Sequence, residues 1–251
     1  MTALITGATS GFGKSTAEIF AKNGYNIIIT GRRKDRLDEL KQRIERENKV
    51  KVLALCFDIR KRSEVEKTMS ELPSDFQAVD VLVNNAGLAA GLSPIQDGNI
   101  EHWERMIDTN LKGLLYITKC VSKVMIEQKK GHIINVGSVA GKEAYANGNV
   151  YCATKHAVDA LNKSMRIDLL PFGIKVSAIN PGMAETEFSI VRFDGDEERA
   201  KKVYDGIQAL KPEDVAEAIY WMASRPAHVN INDMIIMPTS QANATTINRK
   251  N

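Results

Sequence analysis

The stretch 3-ALITGATSGFG-13 decides how this chain is read. A short apolar run ends in glycines at 7, 11 and 13, and "KSTAEIFAKNG" follows as a helical segment closed by Gly24. A strand that empties into a glycine-rich turn and then a helix suits a dinucleotide pyrophosphate. Glycine permits the tight turn and the close approach, and the amides at the helix start face the anion. Gly7, Ser10, Gly11, Phe12 and Gly13 are therefore candidate cofactor contacts. The spacing is TGxxxGxG and not GxGxxG, so the position between a first strand and a first helix carries the argument.

Two signals alternate along the remaining chain. Short apolar, β-branched runs recur at 3–6, 26–30, 51–57, 79–85, 131–138, 174–181 and 233–238, each too short for a helix and apolar at nearly every position. That pattern predicts strands covered on both faces. Helical periodicity fills the gaps. Leu37, Leu40 and Ile44 form one stripe; Val215, Ile219 and Met222 form another behind Pro212 at a helix start. The alternation predicts one α/β domain over 1–251, a Rossmann-type doubly wound parallel sheet of about seven strands with helices on both faces. The longest aperiodic stretch, 183–206, follows a strand and is the expected substrate loop.

Composition removes several function classes. With 34 basic and 31 acidic residues the net charge is +3, too small to suggest nucleic-acid binding. No apolar run approaches the ~18 residues of a membrane span, and the N-terminus breaks at Gly7 before a signal-peptide core forms. Cys56, Cys120 and Cys152 form no CxxC pair and read as reduced thiols of a cytoplasmic protein. The four histidines lie far apart, so no metal site is expected.

The second strand should bring its end to the adenosine ribose. There an acid hydrogen-bonds the 2′-hydroxyl of NAD, whereas arginine favours the 2′-phosphate of NADP. Gly31 lies 18 residues beyond Gly13, close to the expected spacing of about 20. It carries no carboxylate and leaves room for a phosphate. Arg32 and Arg33 follow with planar forks suited to phosphate oxygens, Arg32 being the stronger candidate. Asp58 ends the third strand. Either it accepts from the adenine amino group with Ile59 against the ring, or it caps the next helix.

The chemistry is carried by "YCATK". Tyr151 and Lys155 are four apart and share a helix face, thirteen residues after Ser138 at the end of a strand. An ammonium within ~4–6 Å favours a phenolate. Asn110 lies on the apolar stripe Met106–Asn110–Leu114, where its amide must be paired.

Together with TGATSGFG (6–13), NNAG (84–87) and Pro181-Gly182, the set Asn110, Ser138, Tyr151 and Lys155 makes the chain resemble a short-chain dehydrogenase/reductase over nearly its whole length. The resemblance implies Tyr151 as acid–base group, Ser138 holding the substrate oxygen and Lys155 reaching the nicotinamide ribose. It further implies a water held near Asn110 that relays protons to Lys155. Asn85, Ala86 and Gly87 would approach the cofactor ribose, and Thr186, after Pro181-Gly182, the carboxamide. It also implies a homotetramer, with dimers formed across helices that include the one bearing Tyr151.

Within the family, "NNAGLAAG", "ETEFSIVRFDGD" and "PAHVNINDMIIMP" resemble the NADP-dependent 3-hydroxy acid dehydrogenases. That implies NADP(H) and a small hydroxy acid, or the 3-oxo acid or semialdehyde it becomes. Such a substrate needs a cation. Arg192, or the neighbouring donor Ser189, is the candidate; alternatively Arg192 pairs with Asp194 or Asp196 on the surface. The other readings are a broad carbonyl reductase acting on uncharged ketones and a non-catalytic NADP-binding regulator.

Overall fold

The computed structural model describes residues 1–250. Seven strands run through it: β1 (Thr2–Ile5), β2 (Asn26–Gly31), β3 (Val52–Cys56), β4 (Val81–Asn84), β5 (Gly131–Val136), β6 (Ile174–Pro181) and β7 (Asp233–Ile236). All pair in parallel in one sheet ordered β3-β2-β1-β4-β5-β6-β7.

The helices are α1 (Gly11–Lys22), α2 (Lys34–Glu47), α3 (Arg62–Ser70), α4 (Ile100–Ile107), α5 (Leu114–Gln128), α6 (Asn149–Leu169), α7 (Phe188–Arg192), α8 (Glu197–Lys202) and α9 (Pro212–Ala223). Two apolar layers close the sheet. Phe20, Leu37, Ile44 and Ile219 of α1, α2 and α9 pack under one face. Val65, Ile117, Val121 and Val158 of α3, α5 and α6 cover the other. The predicted stripes on α2 and α9 are the buried positions.

Two strands depart from expectation. β3 and β7 are apolar in sequence but only partly covered, and Ile235 is 53% exposed. They are the outermost strands, so each has a neighbour on one side only and the helical layers do not reach past them. A second departure lies between α4 and α5, where residues Asp108–Gly113 form a π-helical segment in an otherwise continuous helical run.

The order reverses at β1, whose neighbours β2 and β4 lead off in opposite directions. Helices on opposite faces diverge there and leave a crevice at the carboxyl ends of the strands.

Candidate active site

A cleft of about 500 Å³ opens at that crevice, inside the usual range for a ligand site. It is lined by the turn after β1, the ends of β2, β4 and β5, and the loop after β6.

Gly7 adopts φ +68°, a left-handed conformation that favours glycine, and a methyl there would lie 2.9 Å from the Cα of Ala86. The turn after β1 and the NNAG segment after β4 therefore press together. Asn85 fastens them, its amide donating to the Thr6 carbonyl at 2.8 Å and the Gly7 carbonyl at 3.1 Å. The Thr6 hydroxyl accepts from the Asn85 and Ala86 amides. Gly7, Ser10, Gly11 and Phe12 line the cleft as expected. Gly13 does not. It lies where α1 packs on this tie, a Cβ there falling 2.4 Å from Asn85 Nδ2, so its role is close packing.

At the end of β2 the expected roles separate. Arg32 lines the cleft as an exposed side chain. Arg33 lines it too, but its guanidinium is engaged by protein: it donates to the Thr9 hydroxyl at 2.7 Å, the Ser10 hydroxyl at 3.0 Å and the Glu187 carboxylate at 2.8 Å. Gly31 offers no open space either, because a Cβ there would meet Thr9 Cγ2 at 2.6 Å. Its smallness accommodates Thr9. Asp58 and Ile59 line the same end. Asp58 does not cap α3, whose start carries no side-chain cap from it; it is gripped by Arg60 at 2.6 Å. Burial pushes its carboxyl up, but the hydrogen bonds and charge of Arg60, with Arg32 nearby, hold it below the usual carboxylate range.

Ser138, Tyr151 and Lys155 converge at the other end. Ser138 follows β5 in extended backbone; its amide donates to Asn180 Oδ1 at 3.2 Å and its hydroxyl accepts from the Ala140 amide at 3.1 Å. Lys155 Nζ donates to the Val136 carbonyl at 2.9 Å and lies 5.9 Å from the Tyr151 ring centroid. Burial lowers Lys155 to about 8. The expected lowering of Tyr151 is reversed. Burial drives its phenol well above the usual tyrosine range and Tyr145 adds to this, while the Ser138 hydroxyl and the Arg192 charge oppose it. Loss of hydration outweighs the favourable neighbouring groups.

Asn110 lies in the π-helical segment and does not line the cleft. Its Oδ1 accepts from the Leu88 amide at 2.9 Å, and its Nδ2 donates to the Leu88 carbonyl and the Thr154 hydroxyl. Both ends of the amide are thus paired within the protein. Gly87 passes beside it, a Cβ there reaching Asn110 Oδ1 at 3.3 Å and Lys155 Nζ at 3.7 Å.

Over the cleft lies the 183–206 loop, with Pro181, Gly182 and Thr186 along its entry. Arg192 pairs with neither Asp194 nor Asp196. It donates to the Tyr145 hydroxyl at 2.6 Å and lies 5.4 Å from the Tyr151 ring centroid. Its Nε is buried with no partner. Asp194 faces Arg105 and His102 instead, and Asp196 caps α8. Ser189 is less fit as a donor than expected. The Tyr204 hydroxyl gives its proton to the Ala184 carbonyl at 2.8 Å, so Ser189 donates to Tyr204.

Tyr145, Phe188, Tyr204 and Glu187 also line the cleft, and sequence reasoning passed over all four. The signal for Tyr145 was its place between Ser138 and Tyr151; the others lay in a loop without periodicity. Among the described residues no group of three or more His, Cys, Asp or Glu is placed to hold a metal, and no helix is long and apolar enough to cross a membrane.

Known proteins resemble this chain in sequence and in fold. The family model for short chain dehydrogenase matches residues 1–197. An NADP-dependent 3-hydroxy acid dehydrogenase, YdfG, of Salmonella typhi is 49% identical over 96% of this chain and 96% of its own. Sulfoacetaldehyde reductase 2 of Chromohalobacter salexigens is 45% identical over 95% of this chain and 94% of its own. The solved closed form of serine dehydrogenase complexed with NADP+ superposes with a TM-score of 0.93 at 45% identity, covering 100% of both chains. With a sheet reversing at β1, a glycine turn at its carboxyl edge and the Ser138–Tyr151–Lys155 convergence, this chain belongs to the short-chain dehydrogenase family.

Proposed function

We propose that this chain is an NADP(H)-dependent oxidoreductase that reversibly oxidises the 3-hydroxyl of short 3-hydroxy acids of the serine, L-allo-threonine, 3-hydroxypropionate or 3-hydroxyisobutyrate type. One observation carries the reading: the Arg192 guanidinium lies 5.4 Å from the ring of Tyr151, so a cation for an acid group and a proton-handling phenol face one space. The residues fit the cofactor, since Gly7 and Gly11 both adopt left-handed φ in a turn that leads into α1. Gly7, Ser10, Gly11 and Phe12 would hold the pyrophosphate end; Arg32 the 2′-phosphate; Asp58 and Ile59 the adenine; Ala86, Gly87 and Lys155 the nicotinamide ribose; Thr186 the carboxamide.

When bound, NADP(H) would supply the hydride acceptor or donor for C3. Tyr151 takes the hydroxyl proton in oxidation and donates it to the carbonyl oxygen in reduction. Ser138 holds that oxygen. Lys155, lowered to about 8, exchanges a proton near neutral pH and recharges Tyr151. Asn110 acts by fixing Leu88 and the adjoining NNAG segment beside Lys155. Arg192 binds the carboxylate, and loop 183–206 excludes water from the single domain's cleft.

The same fork suits a sulfonate, and a 45% identical relative named for sulfoacetaldehyde makes that the second reading. A half-buried arginine in the cleft, its Nε without a partner, argues against uncharged ketones as preferred substrates, and a proton-handling tyrosine argues against a non-catalytic regulator. Leu115 and Ile167, exposed on α5 and α6, support assembly into a homotetramer, and free cysteines fit a cytoplasmic location. A spectrophotometric panel tests the function: both cofactors against serine, allo-threonine, 3-hydroxypropionate, 3-hydroxyisobutyrate, isethionate and neutral alcohols. Highest kcat/KM with NADP+ and a hydroxy carboxylate is expected; preference for the neutral alcohols overturns the reading.

A further inference from the structure

We infer that Glu187 is a positioning residue: its carboxylate bridges Arg33 and Arg36, clamps the 183–206 loop across the cleft, and thereby governs how long the nicotinamide cofactor stays bound. The inference rests on the reading of this cleft as the NADP(H) site.

The two oxygens of Glu187 are used separately. Oε2 accepts from Arg33 Nη1 at 2.8 Å and Oε1 from Arg36 Nη1 at 2.5 Å. These contacts join α2, beside the ribose end of the cleft, to the first residues of the loop, across more than half the chain. Burial raises the Glu187 carboxyl, but the two arginines outweigh it and hold it below the usual range, so it stays ionised at neutral pH.

Arg33 carries the contact further. The guanidinium that grips Glu187 also donates to the Thr9 and Ser10 hydroxyls in the turn after β1. Glu187 is thereby coupled to the turn that would meet the pyrophosphate. Its neighbour Thr186 lies in ordinary contact range of the Gly11 position, so the loop begins directly over that turn.

The far end of α7 has a separate anchor. Asp194 faces Arg105 Nη2 at 3.2 Å and His102 Nε2 at 3.3 Å, and the Gly91 amide donates to the Arg192 carbonyl at 2.9 Å. The loop is strung between two anchors on opposite walls. A cofactor leaving between the glycine turn and the loop must part the Glu187 contacts, while the Asp194 end can stay in place.

Glu187 and its arginines are each about two-fifths exposed, so salt weakens the clamp. A rival role has the opposite sign. If Glu187 acted chiefly by repelling the 2′-phosphate, removing its charge would tighten NADPH and leave NADH unchanged. A clamp on the loop releases both cofactors faster.

The experiment is stopped-flow displacement of NADPH and of NADH, at low and high salt, from wild type, Glu187→Gln, Arg36→Gln and the double variant. Both cofactors should leave Glu187→Gln about three- to thirty-fold faster, as expected for two partly exposed charge-assisted contacts. The salt dependence of NADH release should shrink in that variant, and the double variant should be no faster than Glu187→Gln. Arg36 lies outside the cleft lining, so its variant reads the clamp without touching the cofactor wall. Unchanged release rates, or tighter NADPH with unaltered NADH, overturn the clamp alone. Wild type that binds neither cofactor overturns the functional reading beneath it.

Discussion

Arg192 and Tyr145 form one hydrogen-bonded unit: the guanidinium donates to the phenolic oxygen at 2.6 Å and lies 5.7 Å from the Tyr145 ring centroid. The same cation is 5.4 Å from Tyr151 and 5.9 Å from Phe188. An arginine held this way loses little freedom when it meets an anion, because its rotamer is already fixed. Arg192→Leu should raise KM for 3-hydroxy acids about 10- to 100-fold, the loss of a charge-assisted contact. KM for neutral alcohols should change little. Tyr145→Phe should act in the same direction more weakly; equal effects on charged and neutral substrates would remove the carboxylate role.

Tyr151→Phe keeps the ring that packs edge-on against Phe188 at 5.6 Å and removes the exchangeable proton. NADPH affinity, read by fluorescence titration, should hold. Turnover should fall about 10²- to 10⁴-fold, the range for a lost acid–base group.

The two arginines after β2 should now behave differently. Both line the cleft, but Arg33 is occupied by Thr9, Ser10 and Glu187, whereas Arg32 is an exposed side chain there. Arg32→Ala should weaken NADPH roughly 10- to 100-fold and NADH hardly at all. Arg33→Ala should weaken both, since it loosens the turn itself. Isothermal titration with the two cofactors separates the outcomes.

Lys155 gives a pH signature. Burial lowers it to about 8 from 10.5, so its charged form is disfavoured in the folded protein. Between those values the unfolded chain binds the extra proton, and stability rises with pH there. Below the folded value the cost is present in full. Lys155→Met should therefore raise stability at pH 7, by on the order of 3 kcal/mol if the variant packs well. The gain should vanish toward high pH. Denaturant melts of both proteins across the range check the sign.

Gly13→Ala tests the packing role. Alanine normally improves a helix interior by about 1 kcal/mol. Here its methyl would lie 2.4 Å from Asn85 Nδ2 and 2.5 Å from the Gly7 carbonyl oxygen. The clash should win, costing about 1–3 kcal/mol, with a lower Tm and weaker cofactor binding as the Asn85 tie shifts.

Much of this was legible because it follows chain-local rules. Strand–helix alternation, the glycine turn and the four-residue spacing of Tyr151 and Lys155 are local patterns, and each reappears as an element or a convergence. Partnership across the fold was not. Glu187 meets Arg33 and Arg36 only because the loop after β6 runs back over the cleft, past β5, β4 and β1, to the end of β2, and no spacing in the chain encodes that. Nor does sequence distinguish Ile235 at the sheet edge from the interior isoleucines of β2; both are apolar runs, and only strand order exposes one. The Tyr151 phenol misled for a related reason. Its neighbours were readable, but its burial by Tyr145, Phe188 and Arg192 was not.

The π-helical turn at Asp108–Gly113 makes the site sensitive to reading length as well as to composition. Such a turn holds one residue more than an α-helical turn would. Deleting one residue just after Asn110 would leave a smooth helix and rotate everything beyond by about 100°. Asn110 could then keep its grip on Leu88, or Leu114, Ile117 and Val121 could keep their seats beneath the sheet, but not both. Natural variation in this region is thus expected to proceed by exchange of side chains at constant length, and a one-residue gap there would mark a lineage in which the polar centre beside Lys155 has been dismantled.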